Sequence, residues 1–242
     1  MNKLRNNSIW ASLMVLAMGM LSSFSGVRIN ASREIRPVGA FTEVSLGGSA
    51  HVVLKQGSPQ SVVVEGSPEA LAGFETLVTN QQLRLGYRRN TNSLFNYEDK
   101  GTVTVYVTAP RLTTLRVGGS GKLEVDGPLR ADALALVVSG SGNLQVRQLA
   151  ATRLETALSG SGTMLLGGSC SSHEIRLSGS GNLLAHDLKT ETSRVRLSGS
   201  GIAHVYASHA ADASISGSGN VFVAGGGQLS SAMHGSGHIS KE

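Results

Sequence analysis

The sequence predicts an all-β protein: a right-handed parallel β-helix, or β-solenoid, with coils of about 18–21 residues and Gly-Ser-Gly corners. Three observations predict it. First, Gly-Ser-Gly recurs with its central serine at Ser120, Ser141, Ser161, Ser180, Ser200, Ser218 and Ser236, at intervals of 21, 20, 19, 20, 18 and 18 residues. Repetition at that length implies a solenoid whose every repeat is one coil stacked on the last. Second, apolar residues keep register with the motif. Val117, Val138, Leu158, Leu177, Leu197, Ile215 and Met233 lie three positions before the serines, and Leu123, Leu144, Met164, Leu183, Ala203, Val221 and Ile239 three positions after. Third, glycine is abundant at 31 residues, yet the apolar fraction is 40%. Glycine in register beside that much apolar sequence favours order over a disordered linker.

The chain opens with Lys3 and Arg5, an apolar run from Ile9 to Leu21, and then Ser22, Ser23, Ser25 and Gly26. Basic, apolar and small residues in that order read as a signal peptide over residues 1–25, with cleavage expected after Ser25. The competing reading is an uncleaved N-terminal anchor, but the run is short for a membrane span. No transmembrane segment is expected after cleavage. The expected destination is the periplasm or surface of a Gram-negative bacterium. The formal charge of +5 falls to +3 without Lys3 and Arg5. That residual charge, without interleaved aromatics, does not point to nucleic acid.

Residues 26–116 lack the clear repeat but read as an irregular N-terminal part of the same solenoid, shielding its first coil. Phe41–Leu46 and Ala50–Leu54 alternate around Gly47-Gly48-Ser49, a decayed form of the later corner. Ser61–Glu65, Gln82–Leu85 and Thr102–Thr108 are further strand candidates. Ser67-Pro68-Glu69-Ala70-Leu71 suits a short helical turn capped by serine, with proline first. Arg88–Lys100 is polar and irregular, a long loop.

Residues 117–242 are the regular helix, continuous with the preceding part. Leu144-Gln145-Val146 and Val221-Phe222-Val223 show the period of two expected of strands with one face buried. A third inward side draws on Leu154, Ile175, Val195 and Ala213. Glycines at the corners supply positive φ or close backbone approach. The serine hydroxyls are expected to bond the chain or a neighbouring rung, and Asn143, Asn182 and Asn220 to form a partial polar ladder. A phosphate-cradling loop occurs once and opens a helix, so seven copies opening strands are structural corners. Calcium-binding β-rolls need an aspartate that every copy lacks, and leucine-rich repeats need a leucine spacing absent here.

The order of several short segments resembles the bacterial head GIN domain family, whose members also carry the label auto-transporter adhesin. The matching segments are Phe41-Thr42-Glu43-Val44, His51 to Gly57, Val62 to Gly66, Val103 to Pro110 and the Gly-Ser-Gly series. The resemblance runs from about Arg33 to Ile239. It implies a β-helical fold and an envelope location, and it carries over no catalytic residues. Nothing after the last repeat is expected to build a membrane translocator barrel.

No residue is assigned a catalytic, cofactor-binding or metal-ligating role. Glu124, Asp126, Asp132, Glu155, Glu174, Asp187, Glu191 and Asp212 are not expected to recur at one coil position, unlike the clustered carboxylates of β-helical glycan-cleaving enzymes. His173, His186, His204, His209, His234 and His238 read as surface histidines, and the lone Cys170 as a small half-buried thiol with no disulfide partner. Arg84, Arg88, Arg89 and Lys100 form a basic group, either solvated or meeting anionic surface glycan or lipopolysaccharide. The expectation is a non-enzymatic exported module, structural or adhesive, with an envelope protein or surface glycan as partner. A glycan-binding or glycan-degrading protein is the alternative. The last coil, near Met233 to Ile239, presents a strand edge through which the protein could self-associate end to end.

Overall fold

Alternation of apolar and polar residues along short runs gives strands, and glycine corners between the runs let each strand lie directly over the one a coil earlier. The computed structural model describes residues 32–88 and 102–242. The expected signal peptide, most of the expected loop, Arg89 and Lys100 lie outside them. In chain order the elements are β1 (Ser32–Ile35), β2 (Glu43–Gly48), β3 (His51–Gln56), β4 (Ser61–Gly66), α1 (Pro68–Ala72), β5 (Phe74–Thr79) and β6 (Gln82–Tyr87). Then come β7 (Thr104–Ala109), β8 (Thr114–Gly119), β9 (Lys122–Gly140), β10 (Asn143–Gly160), β11 (Thr163–Gly179) and β12 (Asn182–Gly199). The last are β13 (Ile202–Tyr206), β14 (Ala210–Gly217), β15 (Asn220–Ala224), β16 (Gln228–His234) and β17 (His238–Lys241). All seventeen join one sheet, wound into a β-solenoid of about 6 turns.

From β8 onward every pairing is parallel and in register with the motif. Val117 pairs with Val138, Val138 with Leu158, Leu158 with Leu177, Leu177 with Leu197, Leu197 with Ile215 and Ile215 with Met233. Each full coil turns three short runs inward, as β9 does with Leu123 and Val125, then Leu129, then Leu134, Leu136 and Val138. These ladders are the core. Each fully buried leucine contributes about 1.5–3 kcal/mol through water removed from its surface.

The corner glycines have separate duties. Gly140 sits at φ +106, where a Cβ would also stand 2.7 Å from the Gly119 carbonyl oxygen. Gly142 has no such torsion, but a Cβ there would lie 2.7 Å from the Gly121 oxygen and 2.6 Å from Val117. The first glycine turns the chain, and both let the rungs approach. The serine contributes its amide, as Ser141 N donates to the Gly119 carbonyl at 2.9 Å. The hydroxyls instead stand exposed to solvent, contrary to the expected inter-rung bonding. The asparagine ladder does not form either: Asn143 pairs with Thr163, Thr163 with Asn182, Asn182 with Ile202 and Ile202 with Asn220, so no two asparagines adjoin.

Gly47 and Gly48 pair with Gly118 and Gly119, which makes Gly47-Gly48-Ser49 the first corner of the same column. Below that rung lies another built from later residues, with β6 against β2 and β7 against β3. Antiparallel strands then close this end: β5 on β6, β4 on β7 and β1 on β4. The β5–β6 hairpin turns through Asn80 and Gln81, both at positive φ (51° and 61°). Beside it α1 buries Ala70 and Leu71, and Ser67 Oγ accepts from the Ala70 amide at 3.2 Å. Ser67→Ala is therefore expected to lower stability by about 1 kcal/mol, read from the urea midpoint, because it frees that amide.

Candidate functional site

Among the described residues, two grooves and one outward stripe are candidate resting places for a ligand, and each follows from the stacking register. The larger groove, about 830 Å3, runs across β11, β12, β14 and β16 along Ser172–Glu174, Thr192–Arg194, Ala210–Asp212 and Gln228–Ser230. Register brings Glu155, Glu174, Arg194 and Asp212 into a single outward column. Three acids thus share one coil position, six residues before the central serine of their corner, contrary to the expectation that the acids do not recur. Two of them are matched by cations, however. Glu174 lies 2.5 Å from Arg176 and 4.0 Å from Arg196, and Asp212 lies 3.3 Å from Arg194. These are exposed surface pairs, of the kind worth little in stability.

Behind that groove the interior is polar where a leucine ladder would be expected. His173 is 1% exposed and occupies the inward column of Leu134 and Leu154, so it is a core residue and not a surface histidine. Its Nε2 lies 2.8 Å from Thr156 Oγ1. Loss of hydration pushes its pKa down to about 3, so the ring is neutral. Ser193, directly beside it on the next rung, is buried with its hydroxyl unpartnered. The third inward side therefore aligns Thr156, not Leu154, with Ile175, Val195 and Ala213.

Cys170 is buried rather than half-buried, at 5% exposure. Burial, with a smaller effect from Glu191, pushes its thiol up to about 12. The nucleophilic thiolate is thus suppressed. His186, His209, His234 and His238 are exposed and His204 is half-buried. Among the described residues no group of three or more His, Cys, Asp or Glu is arranged to hold a metal ion.

The second groove, about 680 Å3, borders Arg111, Arg130 and Asp132. Gln56 spans it by donating to the Pro110 and Arg130 carbonyls at 3.2 and 3.0 Å and accepting from Arg130 N at 2.8 Å. Of the basic group, Arg84 shares an outward column with Ser45 and Arg116, while Arg88 pairs with Glu75 at 2.7 Å.

The outward stripe lies on the strands that follow the corners. Leu165, Leu184, His204 and Phe222 stack in one outward column, all half-buried, with Ile202 and Tyr206 alongside. His204 and Phe222 stack at 4.6 Å between centroids and 14° between planes, and Lys189 Nζ sits 4.0 Å over the Tyr206 ring. Toward the N-terminal end the same face turns polar. His51 Nε2 lies 3.1 Å from Glu124, and Lys122 pairs with the same carboxylate. The Lys122 hydrogen bond foremost holds the Glu124 carboxyl below its usual range; burial, the next largest effect, opposes it, and the charges of Lys122 and His51 add to the lowering.

The family model described as putative auto-transporter adhesin, head GIN domain, matches residues 40–227. The chain belongs to the head GIN domain family. Solved structures share the fold of this head GIN protein. A putative adhesin from Bacteroides fragilis NCTC 9343 superposes with a TM-score of 0.80 at 20% identity, over 88% of this chain and 97% of that one. A structure called a putative lipid binding protein, from Parabacteroides distasonis ATCC 8503, gives 0.73 at 21% identity over the same shares. A putative adhesin from Parabacteroides merdae ATCC 43184 gives 0.69 at 18%, over 88% of this chain and 96% of that one. No curated protein matches the sequence significantly. Among the described residues no helix is long and apolar enough to cross a membrane.

Proposed function

We propose that this head GIN protein is an exported, non-catalytic interaction module of the cell envelope: a rigid solenoid that offers its outward stripe, from Leu165 to Phe222, to an envelope protein or a surface glycan. One observation carries the non-catalytic part. The two residues best suited to nucleophile and base, Cys170 and His173, are sealed in the interior, and the aligned carboxylates Glu174 and Asp212 are matched by arginines on an open face. Family membership supports the adhesive part. Glycan binding has less support, because sugars stack on free ring faces and here His204 covers one face of Phe222 while Lys189 covers one of Tyr206. The lipid-binding name of one structural neighbour is a further ligand class to include in a screen.

The test is labelling of intact cells with a membrane-impermeant amine reagent, paired with incubation of purified protein with polysaccharides. Labelling without permeabilisation is expected, together with no release of sugar fragments. Protection until the outer membrane is opened would overturn adhesion to outside surfaces, and fragment release would overturn the non-catalytic reading.

A further inference from the structure

The two ends of the stack are finished differently. At the N-terminal end, α1 and antiparallel strands close the core, and the edge strands carry Arg33, Glu34 and Glu75, charges of the kind that discourage edge pairing. At the other end β16 reads Gln-Leu-Ser-Ser-Ala-Met-His, without an Asp, Glu, Lys or Arg. Met233 there is 49% exposed, whereas Ile215, its partner one rung earlier in the same inward column, is 1% exposed. Leu229 and Ile239 are likewise only partly covered.

Hydrogen-bond direction shows which groups are unpaired. Gln228 N donates to the His209 carbonyl at 2.8 Å, so Gln228 faces β14. Alternation along the strand then turns the amides and carbonyls of Leu229, Ser231 and Met233 toward the open edge. The same three residues point their side chains inward. The edge is also symmetric about Ser231: an antiparallel copy centred there would set Leu229 of each chain opposite Met233 of the other, and Ser231 opposite itself.

We propose that the protein forms a closed dimer in which β16 pairs antiparallel with β16 of a second copy about a two-fold axis at Ser231. Three facing pairs exchange about six main-chain hydrogen bonds. The two open cores cover each other, with Leu229 against Met233 and small Ser231 side chains where the chains meet on the axis. No formal charge of β16 opposes another, since Gln228 faces His234. Because the contact is isologous it consumes both open ends and stops at two copies. A head-to-tail join would instead meet the charged N-terminal edge and grow without limit. The proposal stands independently of the envelope partner proposed above.

Sedimentation equilibrium of the purified chain over a wide concentration range tests it. A reversible monomer–dimer equilibrium is expected, and Ser231→Lys should raise its dissociation constant at least about tenfold by opposing two cations on the axis. Ser231 is exposed in the single chain, so far-UV circular dichroism of that variant should not change. Ser231→Cys should form disulfide-linked dimers in oxidising buffer, because facing hydrogen-bonded residues have Cα atoms about 5.5 Å apart. Gln228→Cys should not, since it faces His234. A monomer at every concentration, an open-ended series of oligomers, or a dimer unaffected by Ser231→Lys overturns the proposal.

Discussion

Gly140→Ala should lower stability by about 3–5 kcal/mol, combining a torsion disfavoured for an L side chain with overpacking against a neighbouring rung. The new methyl would meet the Gly119 carbonyl oxygen at 2.7 Å, a backbone atom that cannot rotate away. Ser141→Ala, one residue on, should change stability by less than about 0.5 kcal/mol, since it removes only an exposed hydroxyl. Urea titration of both variants measures the contrast. Equal losses would mean that the serine side chain shares in the corner, and the account of the motif given above would be wrong.

Acid should destabilise the folded chain through His173. In the unfolded chain this imidazole takes up a proton as pH falls through about 6.5, its ordinary value, whereas the folded protein holds it neutral until about 3. Unfolding thus binds a proton across that window. The contribution of His173 is fully present above pH 6.5 and falls by up to about 1.4 kcal/mol per pH unit below it. The double variant Thr156→Val with His173→Leu replaces both partners by apolar residues and restores the leucine column of Leu134 and Leu154. Its stability at neutral pH should stay near that of the parent, because removing both partners of the pair together orphans neither of them. Its thermal midpoint between pH 6.5 and 4 should be flatter than that of the parent. An unchanged slope would show that other groups set the acid response.

Much of the architecture is legible in the sequence because the corner is stereochemically exacting. Glycine spacing alone locates each rung, and the apolar residues three positions either side locate two inward columns. The third side is legible only when positions are counted back from each serine, because the coils differ in length ahead of it and not within it. Leu154 lies seven residues before its serine and Ile175 five before its own, so the two belong to different columns, and the residue seven before Ser180 is His173. Counting back by parity from Leu177 would find it. The outward stripe has a faint signal in Met164-Leu165-Leu166 and Leu183-Leu184-Ala185, where a leucine interrupts the alternation. The β5–β6 hairpin has less: Asn80-Gln81 occupies two left-handed positions where glycine is the usual marker of such a turn. The acid column is legible in the same way, since Glu155, Glu174 and Asp212 each lie six residues before the central serine of their corner and drift only when counted forward along coils of unequal length.

The rung formed by β2 and β3 has a consequence for the order of folding. Its neighbours on both sides come from much later in the chain: Gln82 bonds Glu43 across 39 residues, and Thr113 bonds Thr42 across 71. In the regular coils a typical inter-rung contact, such as Ser214 to Val195, spans 19. Closing the longest of these loops costs roughly 1 kcal/mol more in chain entropy than closing a regular coil. A chain growing from its N-terminus therefore carries β2 and β3 unpaired until β6 and β7 have followed, and open on their other side until β8 and β9 have. The coils nucleate and propagate among themselves, and the segment made first is secured late.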